Sequence, residues 1–167
     1  MGISPYLAGL RKLIGHRQVL LPSVSVVLVG DDGRILLVRH AGDPRWWGVP
    51  GGAVEIGETP EMAAGREILE EIGVRIGVPR LLRVLGGPDF EVTYANGDRV
   101  AYVTAVYRAG IDGGVPAPDR EEISEVGWFG VDELAGLDLN RFSRALLRAI
   151  GMCGCGVPCP VIDCPST

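Results

Sequence analysis

Gly52-Ala-Val-Glu-Ile-Gly-Glu58 runs directly into Thr59-Pro-Glu-Met-Ala-Ala-Gly65 and then Arg66-Glu-Ile-Leu-Glu-Glu-Ile-Gly-Val74. Thr59 can cap a helix, Pro60 suits its first position and Gly73 can close it, so the punctuation predicts a helix from residue 60 to about 72. On that helix Glu67, Glu70 and Glu71 stand at i, i+3 and i+4 and share one face, about 5–6 Å apart. Gly65, Ile68, Leu69 and Ile72 fall on the opposite side as an apolar stripe for a core. A helix anchored in this way would present three carboxylates on its other face.

Each like-charged pair at this spacing costs a few tenths of a kcal/mol, and Arg66, four residues before Glu70, offsets only part of that. The ordinary reading of such a cluster is a solvated acidic face. The other reading places a divalent cation among the oxygens. Carboxylates are hard ligands that suit Mg²⁺ or Mn²⁺, whereas zinc or copper would call for His or Cys. Mg²⁺ keeps several waters and completes its shell with phosphate oxygens, so a phosphate or diphosphate substrate accompanies this reading.

Upstream, two strand-like runs at 23–29 and 34–39 flank Gly30-Asp-Asp-Gly33 and read as a β-hairpin. Residues 45–55, with Trp46, Trp47, Pro50, Gly51 and Gly52, read as a short strand, a tight turn and a second strand. Leu7, Leu10 and Ile14 give residues 5–16 the spacing of a short helix, whose apolar stripe is a candidate homodimer contact. Downstream, residues 80–85, 91–94, 99–107 and 125–129 read as strands, and 131–137 and 140–150 as helices. Strand pairs around one central helix predict an α+β sandwich. The chain divides into an N-terminal helix (1–20), one domain (21–150) and a Cys/Gly/Pro-rich tail (151–167).

Composition narrows the function classes. The chain has 167 residues, 47% of them hydrophobic and 22% charged, with a formal charge of −5. These values fit one globular domain and exclude wholesale disorder or a fibrous repeat. No apolar run approaches the length of a membrane span, and the acidic balance argues against a nonspecific nucleic-acid binder. No secretory signal opens the chain, so a cytoplasmic location is expected. Cys153, Cys155, Cys159 and Cys164 lack the paired Cys-x-x-Cys spacing of a zinc site, and a loosely ordered tail is expected. His16 and His40 are isolated in sequence and build no Ser-His-Asp or Cys-His arrangement.

Gly52, Glu58, Arg66, Glu67, Ile68, Glu70, Glu71, Gly73 and Val74 fit, without a gap, the pattern Gly-x₅-Glu-x₇-Arg-Glu-aliphatic-x-Glu-Glu-x-Gly-aliphatic. The stretch resembles the signature of the Nudix (MutT-like) hydrolases. Trp47-Gly-Val-Pro-Gly51, Glu125-Val-Gly-Trp-Phe129 and Asp132-Glu-Leu134 are also similar to that family, so the likeness spans about 23–137. The resemblance implies an α/β/α sandwich with a mixed sheet and a central catalytic helix. It implies Mg²⁺- or Mn²⁺-dependent hydrolysis of a nucleoside diphosphate linked to another group. Glu67, Glu70, Glu71 and the Gly51 carbonyl would hold metal. Arg66, Glu58, Gly52 and Gly73 would support them. The general base varies in this family. Here Glu67 competes with the loop residues Asp119, Glu121 and Glu122, of which Glu122 is favoured.

Substrate contacts are read from residue chemistry. Trp46, Phe90 and Tyr94 lead the stacking candidates, ahead of Trp47 and Tyr102, and Arg39 and Arg45 lead the phosphate contacts. Pro88 lies fourteen residues after Val74, one short of the spacing in family members that cleave ADP-ribose. A nucleotide sugar, ADP-ribose or dinucleotide is expected ahead of a nucleoside triphosphate. The rival reading is a silent Nudix-fold module that binds a nucleotide as a sensor, and the full set of signature glutamates points away from it.

Overall fold

The computed structural model describes residues 4–152. Its largest sheet is organised by two long strands, β1 (Val19–Leu28) and β7 (Arg99–Ala109). They run parallel, from Val19 opposite Val100 to Leu28 opposite Ala109. β5 (Arg80–Leu85) and β6 (Glu91–Thr93) pair antiparallel with β7. A second sheet has the order β3-β2-β9, from Asp43–Gly48, Ile35–His40 and Ile123–Phe129. A short pair, β4 (Arg75–Ile76) with β8 (Ile111–Gly113), was not expected from the sequence.

The expected β-hairpin forms only next to its turn. Val29 bridges Ile35, and the Gly30 amide donates to the Arg34 carbonyl at 2.9 Å. Beyond that point β1 and β2 enter different sheets. Both edges of β1 are already occupied. β7 takes one edge, and residues 50–54 take the other, through Val24 N–H to Gly52 O (2.9 Å), Val26 N–H to Pro50 O (2.9 Å) and Val54 N–H to Pro22 O (3.1 Å). Hence the expected second strand within 45–55 is a bridging segment, with Ala53 paired to Ser23, and not a ladder of its own. The helix expected at 131–137 is a single 3₁₀ turn, Glu133–Gly136.

Three α-helices complete the sandwich. α1 (Pro5–Ile14) is capped by Ser4 and lays Leu7, Leu10 and Ile14 on Val19, Leu21 and Val100. The stripe expected as a dimer contact therefore faces the chain's own sheet. α2 (Pro60–Ile72) packs Ala63, Ala64, Ile68 and Ile72 against Val24, Val26 and Leu28 of β1. α3 (Arg141–Ala149), capped by Asn140, buries Leu146 and Leu147 with Trp47, Phe90 and Val106. The α+β sandwich expected from the sequence is the fold observed. No helix among the described residues is long and apolar enough to cross a membrane. The four cysteines lie outside the described residues.

Candidate active site

α2 begins and ends as its sequence directs. The Thr59 hydroxyl accepts the Met62 amide at 3.3 Å, Pro60 opens the first turn, and Gly73 closes the helix in the left-handed region. Its faces are not those expected. Glu67 and Glu71 are buried, Glu71 to 1% exposure, while Leu69 lies in solvent beside Glu70. Simple periodicity assigns carboxylates to water. Here they turn into the protein against the glycine pair at residues 51 and 52.

The glycines make room for the carboxylates. A Cβ on Gly52 would overlap the Glu67 carboxylate, and the Gly51 amide donates to Glu71 Oε2 at 3.1 Å. Gly51 has φ +143, and a Cβ there would overlap the backbone carbonyl oxygen of Val24. Gly51→Ala is therefore expected to destabilise the fold by about 3 kcal/mol or more, because strain and a backbone clash coincide. Urea unfolding of the variant checks this.

Arg66 gathers the surrounding acids. Its Nε and Nη2 donate to the two oxygens of Glu58 at 2.7 and 2.9 Å, and Nη2 also reaches Ala53 O at 3.0 Å. Its Nη1 donates to Glu67 Oε1 at 2.9 Å and to Glu70 Oε2 at 3.1 Å. Glu58 in turn accepts the Glu55 amide at 3.1 Å. The Arg66 hydrogen bonds hold the Glu58 carboxyl below the usual carboxylate range. Glu70, expected among the metal ligands, is exposed and hydrogen-bonded to Arg66, so the buried pair is Glu67 and Glu71.

Burial dominates the electrostatics of that pair. It pushes the Glu71 carboxyl up to about 8, helped by the charge of Glu67 and opposed by the Gly51 N–H. Burial also raises Glu67, while Arg66 pulls it down. Glu71 Oε1 is buried and has no hydrogen-bond partner among the described residues. An orphaned carboxylate oxygen in the interior costs free energy unless a cation or donor meets it.

The loop carrying the favoured base is tied to the end of α2. Ala117 N–H donates to Ile72 O (3.1 Å) and Asp119 N–H to Glu71 O (3.2 Å), which satisfies carbonyls that a helix end leaves open. Asp119 Oδ1 accepts the amides of Glu121, Glu122 and Ile123 at 2.8–3.1 Å, so Asp119 organises the loop. Glu122 lies near enough to raise the proton affinity of both Glu67 and Glu71. His40, isolated in sequence, ends β2 beside Glu122 and Asp119. Burial lowers its pKa, and those two carboxylates work against the shift. Its place at the site comes from pairing β2 with β9, which no local pattern announces.

The donor set fits a hard divalent cation. It offers oxygen ligands only, with one buried oxygen left unpartnered. Among the described residues no group of three or more His, Cys, Asp or Glu is placed to hold a metal ion. An ion that is held by one or two carboxylates and takes its other ligands from water and phosphate needs no such group.

Candidate substrate contacts separate into surface and core. Trp46 is partly exposed, with the Arg45 guanidinium 5.8 Å from its ring centroid and Arg45 paired to Asp43 at 2.8 Å. Tyr94 is partly exposed, and its hydroxyl meets that of Tyr102 at 2.6 Å. Arg39 stacks on Trp47 at 4.4 Å and donates to Glu125 at 3.1 Å. Phe90, expected to stack on a base, is 5% exposed and packs edge-on against Phe142 with centroids 4.8 Å apart. The turn that carries it folds under α3, so its ring belongs to the core.

Comparison with known proteins agrees with this architecture. The NUDIX domain family matches residues 19–150. A MutT-like protein of Streptomyces ambofaciens is 36% identical over 132 residues, covering 79% of this chain and 78% of that protein. Nucleoside triphosphatase NudI of Escherichia coli K12 is 30% identical over 132 residues, covering 75% of this chain and 93% of that one. The crystal structure of a MutT NUDIX hydrolase from Burkholderia pseudomallei superposes with a TM-score of 0.65 at 32% identity, over 78% of this chain and 97% of the other. That of a UDP-X diphosphatase gives a TM-score of 0.63 at 27% identity, over 87% and 69%. With the signature helix seated in this sandwich and the family matched across it, the chain belongs to the Nudix family, as a MutT-like pyrophosphohydrolase of phosphorus-containing acid anhydrides.

Proposed function

We propose that the chain hydrolyses a nucleoside diphosphate linked to a second group, such as a sugar phosphate or another nucleotide, with Mg²⁺ or Mn²⁺ held by Glu67 and Glu71. The observation that carries this reading is the buried Glu71 with its unpartnered Oε1 beside a second buried carboxylate. Glu70 and the Gly51 carbonyl complete the candidate ligand set. When bound, such an ion neutralises a diphosphate and lowers the pKa of a coordinated water.

The chain's own groups do the remaining work. Arg66 fixes Glu67 through a charge-assisted hydrogen bond and ties Glu70 and Glu58 to the same guanidinium. Gly51 and Gly52 let the backbone approach the carboxylates closely. Glu122, on the loop that Asp119 braces, takes the proton from the attacking water. Trp46 and Tyr94 offer exposed aromatic surface to a base or sugar, and Arg45 stands beside Trp46 for phosphate. Similarity to the UDP-X diphosphatase over 87% of the chain supports the diphosphate-linked class.

A second reading, a nucleoside triphosphate substrate, is favoured by the similarity to NudI. The purified chain with Mg²⁺ and a panel of nucleotide sugars, ADP-ribose, dinucleoside polyphosphates and nucleoside triphosphates separates the two by products. The expected result is a nucleoside monophosphate plus a phosphorylated partner from the diphosphate-linked members. Turnover confined to triphosphates would favour the second reading. Tight binding with no product would leave a sensor in place of an enzyme.

A further inference from the structure

The turn between β6 and β7 carries Tyr94, and its shape depends on Asp98. The Tyr94 amide donates to the Asp98 carbonyl and the Gly97 amide to the Tyr94 carbonyl, both at 2.9 Å. Asn96 closes the same turn. Its Oδ1 accepts the Asp98 amide at 3.0 Å, and its Nδ2 donates to Asp98 Oδ2 at 3.0 Å. Tyr94 therefore leaves the turn on a fixed backbone, and its hydroxyl meets that of Tyr102 at 2.6 Å. Asp98 is buried, and a buried carboxylate needs a cation and donors to stay charged.

The N-terminal helix supplies them. Arg11, whose side chain is 10% exposed, places Nε 3.4 Å from Asp98 Oδ1 and donates from Nη2 to the Arg99 carbonyl at 2.9 Å. Its Nη1 donates to the carbonyls of Gly15 at 3.1 Å and Arg17 at 2.6 Å. One guanidinium thus ties the end of α1 to the start of β7, a multiple contact that its planar fork suits. His16 adds its Nδ1, 2.8 Å from Asp98 Oδ1. Beside this polar clamp, Leu7, Leu10 and Ile14 share with Tyr102 the cluster around Val19, Leu21 and Val100.

The clamp reaches towards the candidate active site. Burial and the neighbouring Tyr94 raise the Tyr102 hydroxyl well above the usual phenol range, with the charge of Arg11 opposing the shift and that of Glu67 adding to it. Tyr102 therefore lies within electrostatic reach of both α1 and the buried carboxylate pair. α1 itself stands outside residues 19–150, which the family spans.

We infer that α1 is a specificity element of this chain, with Arg11 as a positioning residue that sets, through Asp98, the turn presenting Tyr94 to the base or sugar of the substrate. This rests on the proposed function in taking Tyr94 as a substrate contact. Arg11 makes no hydrogen bond to Glu67, Glu70 or Glu71, so its removal acts on binding and not on the chemistry. A Tyr94 ring held in place before the substrate arrives loses less freedom on binding. An aromatic ring stacked on a base contributes roughly five- to a hundredfold in affinity.

Steady-state kinetics with Mg²⁺, on the panel member that the wild type cleaves fastest, test this together with hydrogen exchange. Tyr94→Ala should raise KM about tenfold. Arg11→Ala and Asp98→Asn should each raise it at least about fivefold, with kcat kept within about twofold, and Arg11→Lys should fall between Arg11→Ala and the wild type. Neither change should raise KM further in the Tyr94→Ala background, as coupled residues require. Leu13→Ala, on the solvent side of α1, should match the wild type. In Arg11→Ala the Tyr94 and Gly97 amides should exchange at least about tenfold faster, while the Val26 amide, bonded to the Pro50 carbonyl, keeps its protection. If the wild type binds without cleaving, the Kd of α,β-methylene-ADP is read through the same cycle. Turnover confined to triphosphates would overturn the proposed substrate class and leave this cycle to be scored on a triphosphate. The inference is overturned by a wild-type KM in both Arg11→Ala and Asp98→Asn, or by a rise that persists undiminished in Tyr94→Ala. A kcat that falls in step with the KM change, unaltered exchange at Tyr94 and Gly97, or a Tyr94→Ala protein with wild-type KM would overturn it as well.

Discussion

Glu71→Gln is expected to lower kcat at least about a thousandfold while the fold survives, because the amide keeps the size of the side chain and loses the charge a divalent ion needs. The same variant has a stability signature. A carboxyl whose pKa is raised on folding binds its proton more tightly in the folded protein than in the unfolded one. Its contribution is fully present below the ordinary carboxylate range and is lost as pH rises towards about 8. Without metal, wild-type stability should therefore fall by a few kcal/mol between pH 5 and pH 8. Glu71→Gln should lack that slope. Thermal unfolding in a chelating buffer across this range measures both proteins.

Arg66→Ala carries the second large effect. Its side chain joins Glu58, Glu67 and Glu70, and removing it leaves Glu58 and Glu67, both largely buried, with no cation between them. Unpairing a buried charge costs about 3–5 kcal/mol, and the part-exposure of Arg66 reduces this to about 2–3 kcal/mol. Turnover should fall at least about a hundredfold, since Glu67 loses the bond that orients it. Arg66→Lys keeps the charge but not the planar fork that reaches both Glu58 oxygens and Glu67 together, so it should recover only part of either loss. Urea unfolding and steady-state kinetics on the three proteins check the order.

The sequence readings that held were those whose physics is local. Thr59, Pro60 and Gly73 bound α2 because capping depends on neighbouring residues. Ser4 and Asn140 cap the other two α-helices in the structure, a role the sequence reading did not assign to them. Pairing was not legible, because a turn as inviting as 30–33 cannot report that both edges of β1 are taken by β7 and by residues 50–54. The solvent side of α2 also escaped the sequence. Periodicity sorts residues by polarity, whereas burying Glu67 and Glu71 depends on two glycines lying across from them in space. An acidic loop at 119–122 was visible, but its division of labour was not. Asp119 spends its side chain on three loop amides, and the charges of both Glu122 and Asp119 act on Glu71.

Titrating Mn²⁺ or Mg²⁺ into the wild type and Glu71→Gln by calorimetry, with a nonhydrolysable nucleotide present, tests the central claim that Glu71 takes part in holding a divalent ion. The wild type should bind the ion saturably at pH 7 and release close to one proton, which comes from Glu71 and is read from the dependence of the heat on buffer. The variant should bind far more weakly and release none. Equal binding and equal proton release by the two proteins would contradict the claim, as would a wild type that takes up no ion.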